Sequence, residues 1–132
     1  MSFVYAIAFS GRKFVMVRSR ERGSWEMPGG EVKEGETPEE AIGREFEEET
    51  GMGLEIVSHR AIDGGTVFFG YALGWPKRIS PEIARVELFD RLPANLAFPR
   101  KEYETMLQEA SRIPKNYNSE TKTHWNIFIL KH

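Results

Sequence analysis

Residues 30–52 read GEVKEGETPEEAIGREFEEETGM. Thr37 is a natural N-cap, Pro38 suits the first helical position, and Glu40, three residues past the cap, completes a capping box. Gly51 supplies a residue free to turn left-handed just past the last apolar position. These signals predict a helix over Pro38–Thr50. At about 100° per residue, Ile42 and Phe46 share a stripe that should face a core. Glu45, Glu48 and Glu49 stand at i, i+3 and i+4 on the adjoining stripe, while Glu47 points to solvent.

Between Glu31 and Glu49 there are nine glutamates, offset only by Lys33 and Arg44. The whole chain carries 20 acidic and 18 basic residues for a net charge of −2, so the remainder is net positive. Like charges at this spacing cost about 0.2–0.5 kcal/mol per pair on an exposed helix, and more when partly buried. A hard cation removes that penalty, because magnesium takes oxygen ligands and keeps waters and phosphate oxygens in its shell. Taken alone, the charge run reads more simply as a solvated helix face. The flanking residues have to decide.

Upstream, Phe3–Phe9 is a short run of aromatic and branched residues and reads as a buried strand. Gly11 and Arg12 turn the chain into a second strand, Lys13–Arg18. Residues 19–37 hold four glycines and a proline, which predicts a loop with one extended piece at Glu31–Val32. Downstream, Leu54–Ser58, Thr66–Leu73 and Ala84–Phe89 read as strands. In the last, Ala84, Val86 and Leu88 alternate against Arg85, Glu87 and Phe89. Arg100–Arg112 is a second helix. This order predicts an α+β fold, an α/β/α sandwich with helices flanking a mixed sheet.

At 132 residues the chain has material for one core, so a single domain over 1–132 is expected. Hydrophobic residues at 40% and charged residues at 29% are ordinary for a globular protein. With no cysteine, disulfides, thiolate metal sites and a thiol nucleophile are excluded. The start, MSFVYAIAFSGRK, lacks the basic stretch and cleavage site of a signal peptide. No apolar run approaches the roughly 20 residues of a membrane span. A cytoplasmic enzyme without membrane contact is the expectation.

From Gly30 onward the chain resembles the Nudix box, G-x5-E-x7-R-E-U-x-E-E-x-G-U. Gly30, Glu36, Arg44, Glu45, Glu48, Glu49 and Gly51 each fall on its fixed positions. Phe46 and Met52 stand where aliphatic residues are usual, a difference of packing rather than chemistry. Upstream, WEMPGG (residues 25–30) is similar to the W-E-F-P-G-G of MutT-type members. Downstream, PEIARVELFDRLPANLAF resembles a common Nudix segment that also occurs in YtkD-like members. The likeness covers most of residues 3–112, far more than a short motif.

The resemblance implies a catalytic strand–loop–helix at about 29–52 and a set of roles. Glu45, Glu48 and Glu49, with the backbone carbonyl of Gly29, are implied as metal ligands, and magnesium as the cofactor, with manganese as an alternative. Arg44 would orient Glu45 through a charge-assisted hydrogen bond, and Glu36 would support the helix and loop rather than touch substrate. Glu48 or Glu45 would take the proton from the attacking water. Glu82 is the candidate for a further glutamate outside the box, against an equal reading as an exposed loop charge. Arg18, Glu26, Gly29 and Gly30 are implied at the substrate, although Arg18 could as well be a solvated strand end. Trp25 reads either as a wall of a base pocket or, more commonly for an aromatic residue, as core. His59, His124 and His132 show no ligand spacing.

The implied reaction is hydrolysis of a phosphoanhydride bond in a nucleoside-diphosphate-linked substrate. A nucleoside triphosphate, including oxidised ones such as 8-oxo-dGTP, leads, with release of monophosphate and pyrophosphate. Tyr71 keeps dinucleoside polyphosphates open, and the YtkD-like segment keeps triphosphate-ended RNA open. From another class, the fold could only sense a nucleotide, a role with no need of Glu45, Glu48 and Glu49 together. The extension at about 113–132 ends in HWNIFIL (residues 124–130), with Trp125, Ile127 and Ile129 on one face of a strand and Phe128 and Leu130 on the other. It is expected to pair with a sheet edge, in its own domain or across a homodimer.

Overall fold

Strand β1 (Phe3–Ser10) has no polar face because both of its faces are covered. Its odd-numbered residues Tyr5, Ile7 and Phe9 enter one hydrophobic cluster together with Tyr103, Met106 and Ala110. Its even-numbered residues Val4, Ala6 and Ala8 enter a second, with Ala41, Ile42 and Phe46. The period-two alternation of a strand thus splits the core into two layers. The computed structural model describes residues 2–114, together with the backbone of 117–118 and 123–124.

After β1 come β2 (Lys13–Ser19), β3 (Trp25–Glu26), β4 (Gly29–Glu31), α1 (Pro38–Thr50), β5 (Gly53–Ile62), β6 (Gly65–Leu73), β7 (Ile83–Phe89) and α2 (Arg100–Ala110). A short hairpin of β8 (Tyr117–Asn118) and β9 (Thr123–His124) follows. The main sheet runs β3-β2-β1-β6-β5, with β4 paired to β1 and β7 to β2. β1 and β6 are parallel, and the other pairs of this sheet are antiparallel. It is a mixed sheet with α1 packed on one face and α2 on the other, as the element order predicts.

The two layers differ in how they are filled. Under α1 the sheet offers Ala6 and Ala8, small enough for Phe46 and Ile42 to seat fully buried. Burying a Phe or Ile side chain contributes roughly 1.5–3 kcal/mol, so these residues fix the helix and thereby its acidic stripe. Under α2 the contacts are aromatic: Tyr103 meets Tyr5 edge-on at 5.8 Å and Phe98 at 5.7 Å between ring centres.

Four expectations differ from the structure. The extended piece before α1 is Gly29–Glu31 rather than Glu31–Val32, because pairing with Phe3–Tyr5 of β1 recruits both glycines. β5 runs on to Ile62, four residues past the expected end at Ser58. A register shift between Ile56 and Ser58 breaks the alternation there, which hides the continuation. In β7, Leu88 is exposed while Phe89 packs against Phe14 and Trp25. The expected α2 also ends at Ala110, two residues early. The HWNIFIL strand lies outside the described residues apart from the backbone of His124.

Candidate active site

α1 begins and ends where its signals place it. Thr37 Oγ1 accepts from the Glu40 N–H at 3.1 Å, and Glu40 Oε1 accepts from the Thr37 N–H at 3.0 Å. Gly51 takes φ 74° and its N–H donates to the Glu47 carbonyl at 2.9 Å. The left-handed conformation and the nearby Lys77 backbone both disfavour a side chain at this position.

Arg44 is the hub of the site. Its Nε and Nη2 donate to the two oxygens of Glu36 at 2.6 and 2.9 Å, a two-point fork. Nη1 donates to Glu45 Oε2 at 3.0 Å and reaches Glu48 Oε1 at 3.5 Å, while Nη2 also donates to the Glu31 carbonyl at 3.1 Å. Glu36 accepts in addition from the Lys33 N–H at 2.9 Å. The Arg44 bond, reinforced by the Lys33 N–H, holds the Glu36 carboxyl at about 2. One arginine therefore ties the loop to the helix and orients Glu45, and Glu36 is occupied with that scaffold.

Gly30 and Glu45 are matched. A Cβ on Gly30 would overlap the Glu45 carboxylate, and a Cβ on Gly29 would overlap the β1 backbone at Val4 and Tyr5. The Gly29 N–H donates to Glu49 Oε1 at 3.1 Å. Burial pushes the Glu49 carboxyl up to about 8, and the charges of Glu45, Glu26 and Glu82 push in the same direction. Burial also raises Glu45, against the opposing pull of Arg44. Glu48 is half exposed, at the rim of the stripe.

Glu49 opens into a cavity of about 520 Å³ lined also by Glu26, Glu82, Arg20 and Arg22. Glu82, expected either here or in an exposed loop, stands at this cavity wall. Glu26 is paired with Arg22 at 2.6 Å. Arg18 is not among the lining residues; it is exposed, and its Nε donates to the Gly23 carbonyl. By the alternation of β2, Arg18 shares the face of Phe14 and Met16, on the α2 side. The pairing of β2 with β7 shifts register between Arg18 and Ser19, and beyond that shift Arg20 and Arg22 line the cavity. Neither was expected, and no pattern in one sequence announces a bulge.

Two aromatic candidates belong to the core. Trp25 packs edge-on against Phe89 at 4.9 Å. Tyr71 is buried, its hydroxyl donates to the Pro114 carbonyl, and it is not among the residues that line the cavity. Tyr103, unremarked in the sequence, reaches across from α2 to accept the Met27 N–H at 3.0 Å. It braces the Pro-Gly-Gly turn from the side opposite α1.

Among the described residues no group of three or more His, Asp or Glu side chains forms a ready-made metal cage. The donor chemistry nonetheless suits a hard cation: all-oxygen, with the half-buried Glu49 lining the cavity together with Glu26 and Glu82. Magnesium needs few protein ligands, since waters and substrate oxygens complete its shell.

Comparison with known proteins gives a consistent result. The NUDIX domain model matches residues 2–109. An 8-oxo-dGTP diphosphatase of Proteus vulgaris is 47% identical over 49 residues, 33% of this chain and 44% of that protein. An RNA pyrophosphohydrolase of Erythrobacter litoralis is 45% identical over 40 residues, 30% of this chain and 24% of that protein. These alignments span less than half the length of the curated relatives. The crystal structure of a UDP-X diphosphatase superposes with a TM-score of 0.71 at 27% identity, covering 82% of this chain and 61% of that one.

Proposed function

The chain belongs to the Nudix family, and we propose that it hydrolyses a nucleoside triphosphate to the monophosphate and pyrophosphate with a divalent cation at the acidic stripe of α1. The observation that carries this reading is Glu49. It accepts the Gly29 N–H at 3.1 Å and lines the cavity with Glu26 and Glu82. Burial, reinforced by the neighbouring carboxylates, pushes its carboxyl up to about 8, and a cation in the cavity would offset the cost of ionising it.

Nudix hydrolases generally use a divalent metal. Here Glu45, Glu48 and Glu49 would hold it, with the Gly29 carbonyl and Glu82 as further oxygen donors. When bound, such a cation lowers the pKa of water and neutralises charge on phosphoryl oxygens. The remaining work falls to the chain. Arg44 keeps Glu45 turned toward Gly30, whose bare backbone leaves the carboxylate room. Glu48, half exposed at the rim, or Glu45 accepts the proton of the attacking water. Arg22, parked on Glu26, is within the cavity to meet phosphate charge. Water adds to phosphorus, the anhydride oxygen leaves with pyrophosphate, and one proton is released to the carboxylate.

The names of the relatives, an 8-oxo-dGTP diphosphatase, an RNA pyrophosphohydrolase and a UDP-X diphosphatase, share one bond, the phosphoanhydride next to a nucleoside or its chain. The likeness to the RNA pyrophosphohydrolase favours triphosphate-ended RNA as the second reading. Incubation of dGTP with protein and Mg2+ tests the first. Pyrophosphate should form, with phosphate appearing only after pyrophosphatase is added. Direct release of phosphate and dGDP contradicts cleavage between the α and β phosphates, and no turnover of any nucleotide contradicts an enzyme.

A further inference from the structure

The turn that carries Glu82 is held from two sides, by the helix that bears Glu49 and by Arg20, which lines the cavity. On the α1 side the Ser80 N–H donates to the Glu48 carbonyl at 2.7 Å. On the β2 side one residue, Arg20, makes three contacts with three successive carbonyls. Its Nε donates to Pro81 O at 2.9 Å, its backbone N–H to Glu82 O at 2.8 Å, and its Nη2 to Ile83 O at 3.3 Å. Within the turn, the Ile83 N–H donates to Ser80 O at 3.0 Å and the Glu82 N–H to Ser80 Oγ at 3.3 Å.

A strand end needs one backbone bond to continue its ladder. Arg20 adds a planar fork that spans the carbonyls on both sides of Glu82, which a single ammonium or amide cannot do. Pro81, Glu82 and Ile83 all line the cavity. With the backbone on both sides of it held by the fork, Glu82 is the segment's one charged side chain there, and its charge is felt at Glu49. We propose that Arg20 is a positioning residue: it locks the Pro81–Ile83 turn so that the Glu82 carboxylate stands opposite Glu49 and completes the oxygen donors at the cavity. This rests on the reading of the cavity as the cation and phosphate site. It assigns Arg20, although it lines the cavity, to the loop rather than to the substrate, and leaves Arg22 as the arginine available to phosphate.

The test is a double-mutant cycle read on Mn2+ binding to the free protein by titration calorimetry, with kcat for dGTP alongside. Glu82→Gln should weaken Mn2+ binding about tenfold. Arg20→Ala should weaken it to a similar degree, and the double variant should be no worse than Glu82→Gln alone, because both act through one carboxylate. A merely structural role for Arg20 would lower the melting temperature and leave Mn2+ affinity unchanged. Unchanged affinity in Arg20→Ala or in Glu82→Gln overturns the proposal, as do losses that multiply in the double variant. Should Arg20→Ala not fold, Arg20→Gln, able to reach one carbonyl at most, carries the same cycle. Glu49→Gln separates the two levels: if it binds Mn2+ and turns over dGTP like the wild type, the reading of the site itself has failed.

Discussion

At the scale of single residues, the side chains in the acidic helix were legible, as were Glu26 and Glu82 beyond it, while Arg20, Arg22 and Tyr103 were not. Helical spacing alone places Glu45, Glu48 and Glu49 together, and the structure adds that Arg44 ties the first to Glu36. Arg18, implied at the substrate or as a solvated strand end, is exposed and outside the cavity's lining, and the register shift that follows it in the pairing with β7 leaves no mark in residue type. Glu36 offers the plainest test of the scaffold. Its carboxyl is held at about 2, below the ordinary value of 4.5, chiefly by Arg44. A depressed carboxylate stabilises the fold above the unfolded-state pKa, and that contribution disappears as pH falls through the folded-state value. Glu36→Gln should therefore melt below the wild type at pH 7, and the gap should close between about pH 4.5 and pH 2. A gap that persists unchanged at pH 2, or none at pH 7, would remove Glu36 from this role.

At the scale of elements, α1 could be read to the residue because its start and stop are chemical: a capping box and a left-handed glycine. Thr37→Ala should cost about 1 kcal/mol in urea denaturation while leaving turnover within a few-fold, since the cap lies away from the cavity's lining. β5 resisted because its far half, SHRAI, is largely exposed and follows a register shift. The contact between α2 and the Pro-Gly-Gly turn is tertiary and invisible in sequence. Tyr103→Phe keeps the ring stack but strands the buried Met27 N–H, which should cost about 1–3 kcal/mol. It should also lower kcat, because that turn presents Gly29 and Gly30 to Glu49 and Glu45. A variant as stable as the wild type would show that another acceptor takes over.

At the scale of the molecule, the sandwich followed from the order of elements and from a first strand with no polar face. What the order could not give is the depth of the cavity, which depends on a turn fastened to two elements far apart in the chain. If the cavity holds a cation, folding and binding are linked: Mg2+ at a hundred times its Kd should stabilise the protein by about 2.7 kcal/mol. That gain should be lost in Glu49→Gln, and equal stabilisation of both proteins would place the cation elsewhere. The most direct measurement of the central claim is kcat for dGTP in saturating Mg2+, compared between the wild type and the Glu49→Gln and Glu48→Gln variants. Loss of a charge that the transition state relies on predicts a fall on the order of a thousandfold for Glu49→Gln. Near-wild-type turnover in both variants would contradict hydrolysis at the acidic face of α1.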